Sequence, residues 1–165
     1  MHKNFKAHLE FFKSCDRWTV DDWKRMIWSE ETKINRFQSD GKEYYCHRPH
    51  EKLQRHQVKQ TVKHRGGSLM LWGCFTRCSV GPLLKIEGIM RKESYLSILQ
   101  TKLQEFIEEI TYPEEELFFQ QYGDPKHAAK IVQNRLSHQH FQLIKWPPQS
   151  PALNPKENIW AVIKR

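Results

Sequence analysis

Three acidic positions in this 165-residue chain could do metal chemistry. Glu30-Glu31 closes an apolar run, Met26-Ile27-Trp28, that reads as a strand. Tyr122-Gly123-Asp124 follows a second apolar run, Leu117-Phe118-Phe119-Gln120-Gln121, and precedes a helix start. Glu157 falls in the first turn of a helix opened by Asn154-Pro155-Lys156. In sheets covered by helices, ligands collect at the carboxyl ends of strands. Carboxylates gathered there suit hard divalent cations, since Mg²⁺ takes oxygen ligands, typically one or two carboxylates plus substrate phosphates. Two such ions activate a water or hydroxyl and stabilise the leaving oxygen in phosphoryl transfer. Lys126 and His127, in the first turn of the helix after Asp124, could meet a phosphate, because a helix N-terminus attracts anions. Each residue also has a plainer explanation. Glu30 and Glu31 fit exposed acids after a strand, Asp124 fits an N-cap, and Glu157 fits the partner of Asn154 in a capping box.

The bulk properties narrow the setting. A chain of this length fits one domain and can bury roughly two-thirds of its unfolded surface. Hydrophobic residues at 38% and aromatics at 12% exclude a disordered chain. No apolar run approaches the roughly 18 residues of a membrane span, and no secretory segment follows Met1-His2-Lys3-Asn4-Phe5-Lys6. The expectation is a soluble, intracellular domain with no membrane partner. Lys+Arg 27 against Asp+Glu 19 leaves a net charge of +8. A basic domain points to a polyanionic partner, most often nucleic acid, although solubility also accounts for such an excess. Cys74 and Cys78 lie near Cys46-His47 and His64 in sequence, but no second close ligand pair completes a zinc pattern. Buried free thiols are expected instead.

The elements that must position the acids follow from periodicity. Residues 3–13 read as a helix with Phe5, Leu9 and Phe12 on one face. Residues 16–23 read as a capped turn, and Lys24–Ser29 as a strand ending at Glu30-Glu31. Lys33–Phe37 and Glu43–His47 flank Ser39-Asp40-Gly41, a hairpin signal. Leu69–Phe75 is apolar on both faces and predicts a central strand, with Leu83–Ile86 as its antiparallel partner. Residues 92–110 keep a three-to-four spacing of Tyr95, Leu96, Leu99, Leu103, Phe106, Ile107 and Ile110, the clearest helix in the chain. After the Leu117–Gln121 strand, Asp124-Pro125 predicts a helix carrying Ala128, Ile131, Val132 and Leu136 inward. Phe141–Ile144 is the last strand, and Trp146-Pro147-Pro148-Gln149-Ser150-Pro151 an extended loop. A terminal helix follows with Ile159, Val162 and Ile163 on one side. A strand meander followed by alternating strands and helices predicts an α/β mixed sheet flanked by helices.

Four ordered blocks carry a resemblance. Trp28-Ser29-Glu30-Glu31-Thr32-Lys33 resembles the W-S-D-E-T/S-K block of mariner-like transposases of the Tc type. Gly66-Gly67-Ser68-Leu69-Met70-Leu71-Trp72-Gly73-Cys74-Phe75 resembles G-G-G-S-V-M-V-W-G-C-F. Residues 119–127, Phe-Gln-Gln-Tyr-Gly-Asp-Pro-Lys-His, are similar to F-Q-Q-D-N-D-P-K-H. Residues 146–160 are similar to W-P-x-Q-S-P-D-L-N-P-I-E-N-x-W. The resemblance implies a ribonuclease-H-like fold over residues 24–165, with residues 1–23 a helix and turn leading into it. It implies DNA cleavage and strand transfer by a metal triad using Mg²⁺ or Mn²⁺, on transposon ends, in the nucleus. It also implies association with a second copy or with full-length transposase.

Carried over by position, the triad falls on Glu30, Tyr122 and Glu157, and 34 residues separate Tyr122 from Glu157, as the family pattern requires. Glu30 stands where the family has aspartate and lengthens the arm by one methylene. Tyr122 is a phenol, neutral at pH 7, where the family has a carboxylate. Ala152 stands where the family has another aspartate. The metal set is then Glu30 and Glu157, with Asp124 as a substitute donor, and Lys126 and His127 as DNA contacts. The family's paired helix-turn-helix modules find no room before Trp18, and the last helix stops at Arg165, which reads as a chain cut at both ends. The expectation is a transposase-derived DDE domain with impaired catalysis. The alternative is a non-catalytic module that binds nucleic acid or another transposase.

Overall fold

The computed structural model describes residues 2–35 and 67–163. The expected Ser39-Asp40-Gly41 hairpin, its Glu43–His47 arm, and Cys46, His47 and His64 lie outside them. Helix α1 (His2–Cys15) leads to the short α2 (Val20–Lys24). Thr19 caps α2 through a complete capping box: its Oγ1 accepts from the Asp22 amide, and its own amide donates to Asp22 Oδ2 at 2.7 Å. Strands β1 (Met26–Asn35), β2 (Ser68–Phe75) and β3 (Val80–Ile86) form an antiparallel meander. Then come α3 (Lys92–Ile98), a π-helical turn (Leu99–Leu103), α4 (Gln104–Glu109), β4 (Phe118–Gln120), α5 (Lys130–Leu136), β5 (Gln142–Ile144) and α6 (Lys156–Ile163).

The five strands form one sheet in the order β3-β2-β1-β4-β5, with β4 and β5 parallel to β1. The central strand is therefore β1, and β2 lies beside it. Leu69–Phe75 is thus an interior strand, paired on both sides, as its apolar faces predict. A correction concerns where β1 ends. It does not stop before Glu30-Glu31 but runs to Asn35, because Trp28–Asn35 find antiparallel partners along the whole of β2.

The helix over 92–110 forms as its spacing demands. Tyr95, Ile98, Leu99, Leu103, Phe106 and Ile107 are buried against Ile27, Trp72 and Phe119 on one face of the sheet. The π turn at its centre makes one wide turn, a device that inserts a residue into a helix without ending it. Val132 and Leu136 of α5 close the same core.

Three predicted apolar faces point elsewhere than expected. On α1, Phe5, Leu9 and Phe12 do share a face, but it is exposed; the helix is held instead by Asn4, His8 and Phe11. Asn4 Nδ2 donates to Gln149 Oε1 at 2.7 Å, His8 Nε2 lies 2.9 Å from the Pro148 carbonyl, and Phe11 meets Trp146 edge-on at 5.1 Å. In the segment after Asp124, Ala128 and Ile131 are exposed. On α6, Ile159, Val162 and Ile163 are exposed while Lys156 and Trp160 are buried. No helix among the described residues is long and apolar enough to cross a membrane. Phe119 is fully buried on β4 and packs against Phe141 at 5.3 Å. Phe119→Ala should therefore cost about 3–5 kcal/mol, read as a lower denaturation midpoint at unchanged slope.

Candidate active site

The parallel pairing of β1 and β4 ends at Trp28↔Gln120, and that of β4 and β5 at Gln120↔Ile144. Two residues past each last pair come Glu30, Tyr122 and Trp146. A two-residue step restores the same face of a strand, so the three project side by side from adjacent chains. They line an open cleft of about 470 Å³ together with Glu31, Asp124, Pro148, Ser150 and Glu157. The structure thus brings Glu30, Tyr122, Asp124 and Glu157 together, as the sequence reading expects.

Glu157 is delivered by Asn154, which is buried. Asn154 Oδ1 accepts from the Lys156 amide at 3.1 Å and its carbonyl accepts from the Glu157 amide at 3.2 Å, which starts α6. Its own amide donates to the Pro151 carbonyl at 3.0 Å, so the reciprocal half of a capping box is already taken and Glu157 is left to the cleft. Asn154 Nδ2 donates to Glu30 Oε2 at 3.3 Å and lies 3.4 Å from the Tyr122 hydroxyl. Trp160 Nε1 donates to the same Glu30 oxygen at 3.2 Å. Glu30 is therefore clamped from α6 and its cap, not free at a strand end.

The electrostatics follow from this crowding. Burial, and then the neighbouring Glu157 carboxylate, push Glu30 up to about 7. Burial also raises Tyr122 above the usual phenol range, against an opposing hydrogen bond from Asn154, so the phenol is neutral at pH 7. Lys156 is 3% exposed, and burial pulls its ammonium down to about 8. Cys74, its buried neighbour in charge, is pushed up to about 12 by burial and stays a thiol.

Glu31, the next residue along β1, projects to the opposite face, where sequence reasoning did not look for a cluster. One ligand atom each from Glu31, Asp124 and His127 lie within 4.8 Å of one another, a mixed oxygen and nitrogen set able to hold a metal. His127 is buried, with Nδ1 donating to the Tyr122 carbonyl at 2.5 Å and Nε2 3.0 Å from Glu31 Oε1. Lys126 Nζ already bridges this set, 2.5 Å from Asp124 Oδ2 and 3.4 Å from Glu31 Oε2. Lys126 accordingly holds Asp124 below the ordinary carboxylate range.

The expected N-cap at Asp124 is not formed. Residues 125–128 make a turn, and α5 begins at Lys130 with Ala129 before it. The Asp124 carbonyl accepts from the His127 and Ala128 amides, while Gln133 Nε2 takes the His127 carbonyl at 2.7 Å. Drawing the His127 ring inward breaks the helical ladder at that point. Lys126 and His127 consequently precede α5 and do not sit in its first turn.

A family profile described as DDE superfamily endonuclease matches residues 25–165. The chain belongs to the DDE superfamily. It is 37% identical over 163 residues to the Tc1 transposase of Caenorhabditis elegans, and 38% over 164 residues to the Tcb1 transposase of Caenorhabditis briggsae. Each alignment covers 99% of this chain and 59% of the relative, so the chain spans little more than half the length of these proteins. Among solved structures, the Mos1 mariner paired end complex with Mn superposes with a TM-score of 0.71 at 14% identity, over 97% of this chain and 46% of that one. The pre-cleavage Mos1 transpososome gives 0.70 at 16% identity, over 97% and 46%. The fold is the ribonuclease-H-like fold of DDE enzymes.

Mos1 structures are described with Mg and with Mn. The positions that the resemblance aligns with the family triad, Glu30, Tyr122 and Glu157, offer a poor ligand set for such a cation. Hard cations require anionic oxygens. Glu30 and Glu157 supply two carboxyls, one of them inclined to keep its proton; Tyr122 supplies a neutral ring; and a buried ammonium, Lys156, acts on Glu30 from beneath. Sequence reasoning missed Lys156, although the quoted block carries isoleucine at that place.

The Glu30 shift has a measurable consequence. The folded chain keeps a proton that the unfolded chain releases between the ordinary value of 4.5 and about 7. Stability therefore falls as pH rises through that window, and the loss is complete above it. Glu30→Gln keeps the shape without the charge, so the melting temperature of this variant should fall less than wild type over the same pH range.

Proposed function

We propose that this chain is a transposase-derived DDE domain whose ancestral chemistry was metal-dependent cleavage and transfer of DNA strands, and that it now binds DNA with little or no catalysis. One observation carries the reading: Tyr122 lines the same cleft as Glu30 and Glu157, at the position where the family pattern has a carboxylate. The relatives' names support transposition as the ancestral role, and the paired-end and transpososome descriptions of Mos1 support DNA ends and a second copy as the ancestral partners. Nuclear location follows from acting on chromosomal DNA.

The retained residues divide the remaining work. Glu30, Asn154 and Trp160 fix the cleft floor, and Trp146 with the Pro147–Pro151 loop forms a wall pinned by α1. Lys126, paired with the cleft residues Asp124 and Glu31, is the cation that would meet a phosphate by exchanging them for it; His127 holds the turn through the Tyr122 carbonyl. With a net charge of +8, binding should be sequence-independent and weaken log-linearly with salt. The second reading is a wholly non-catalytic module that binds nucleic acid or another transposase, favoured by the Lys126 bridge, which occupies the carboxylates that a substitute metal would need.

Plasmid nicking in Mg²⁺ or Mn²⁺ separates these states. Wild type should leave supercoiled DNA intact, and Glu30→Asp with Tyr122→Asp should gain nicking of at least about a hundredfold, the scale set by misplacing a reacting group by 1 Å. Wild-type nicking that disappears in Glu157→Ala would overturn the impaired reading.

A further inference from the structure

Lys156 is a buried charge with no hydrogen-bond partner at Nζ among the described residues. Such a group is expensive unless its field does something, since buried charges are normally paired. Its surroundings locate what that field acts on. Nζ lies 5.8 Å from the ring centroids of both Phe75 and Trp160. It also lies 3.8 Å from the point that a Cβ on Gly73 would occupy. Gly73 is the direct cross-strand partner of Glu30. Cross-strand partners project to the same face, so the ammonium fills the room beside Glu30 that the missing Gly73 side chain leaves. Trp160, whose ring it approaches, is the residue that donates to Glu30 Oε2.

The charge count at the triad then changes sign of purpose. The family pattern sets three carboxylates, charge −3 when ionised, which needs cations to assemble. Here the same positions hold Glu30, a neutral Tyr122 and Glu157, and Lys156 adds +1, so the cluster totals −1 with both carboxylates ionised. We propose that Lys156 is a built-in counter-cation: its ammonium beside Glu30 supplies part of the charge that divalent ions would bring, so the Glu30–Glu157 pair folds without metal and admits a divalent cation poorly. This rests on the reading that Tyr122 has removed the central ligand, and it assigns Lys156 a positioning role, not a catalytic one.

The test is Mn²⁺ binding to the purified chain, by calorimetry and by the paramagnetic resonance signal of free Mn²⁺, with melting temperature as a second readout. Lys156→Met keeps length and removes the charge. It should bind Mn²⁺ at least about tenfold tighter than wild type, the order expected when a like charge leaves a poorly screened site. Its melting temperature should also rise with added Mn²⁺ where wild type shows no rise. Lys156→Arg, which keeps the charge, should stay at the wild-type affinity. A Lys156→Met chain that folds only with Mn²⁺ would support the same conclusion; if it folds under neither condition, Lys156→Gln is read by the same criteria. Equal Mn²⁺ affinity in wild type and the neutral variant overturns the proposal. Tyr122→Asp separates the two claims. If it tightens Mn²⁺ binding while Lys156→Met does not, the counter-cation falls and the lost-ligand reading stands; the converse result leaves Lys156 and removes the role of Tyr122.

Discussion

Where β1 and β4 stop pairing, at Trp28 and Gln120, the sheet dictates which side chains share the cleft two residues later. No side-chain preference is involved in that placement. It comes from backbone register, which fully buried Met26, Ile27 and Phe119 and the Ser29 hydroxyl, donating to the Gln120 carbonyl at 2.7 Å, hold in place. Whatever occupies positions 30 and 122 is therefore forced into proximity. The scaffold of a DDE site can survive intact while its chemistry changes, because the constraint that assembles it belongs to the strands and not to the ligands.

The same separation explains what could be read from the sequence. The helix over 92–110 was legible because its apolar residues recur at a period that only a helix matches, and the π turn shifts that period too little to hide it. The spacing from Tyr122 to Glu157 was legible only through the resemblance, whose pattern carries the same interval. Faces defined by partners far away in sequence were less visible. Phe5, Leu9 and Phe12 make a convincing stripe, yet α1 is anchored by the polar Asn4 and His8, whose partners lie 145 and 140 residues away. Asp124-Pro125 has the letters of a helix start, but a buried imidazole competing for the next turn overrides them. Lys156 was hidden for a related reason: a lysine in a first helical turn reads as solvated, and only the space beside Gly73 turns it inward.

Burial of two carboxyls in one cleft carries an electrostatic penalty that some counter-charge must offset. Divalent ions can do so, and so can a proton or a fixed ammonium. This chain uses the last two. Glu30 retains its proton toward neutrality because it is desolvated beside Glu157, and Lys156 draws the same group the other way. On the opposite face of β1, Lys126 performs the equivalent service for Glu31 and Asp124. Two lysines thus flank the strand that carries the acids, one buried and one half-buried.

These substitutions are not independent losses. A neutral residue at position 122 alone would leave two carboxylates with too few ligands to retain ions and too much charge to sit together comfortably. A cation at 156 alone would oppose ions that three carboxylates still demand. Occurring together, the phenol lowers the need for cations and the ammonium meets what remains, while Asn154 binds the Glu30 carboxylate and lies near the Tyr122 hydroxyl, joining the two positions. On the proposed reading, a fold built around metal ligands is in this way stabilised around its own side chains, and the cleft keeps its shape for a polyanion.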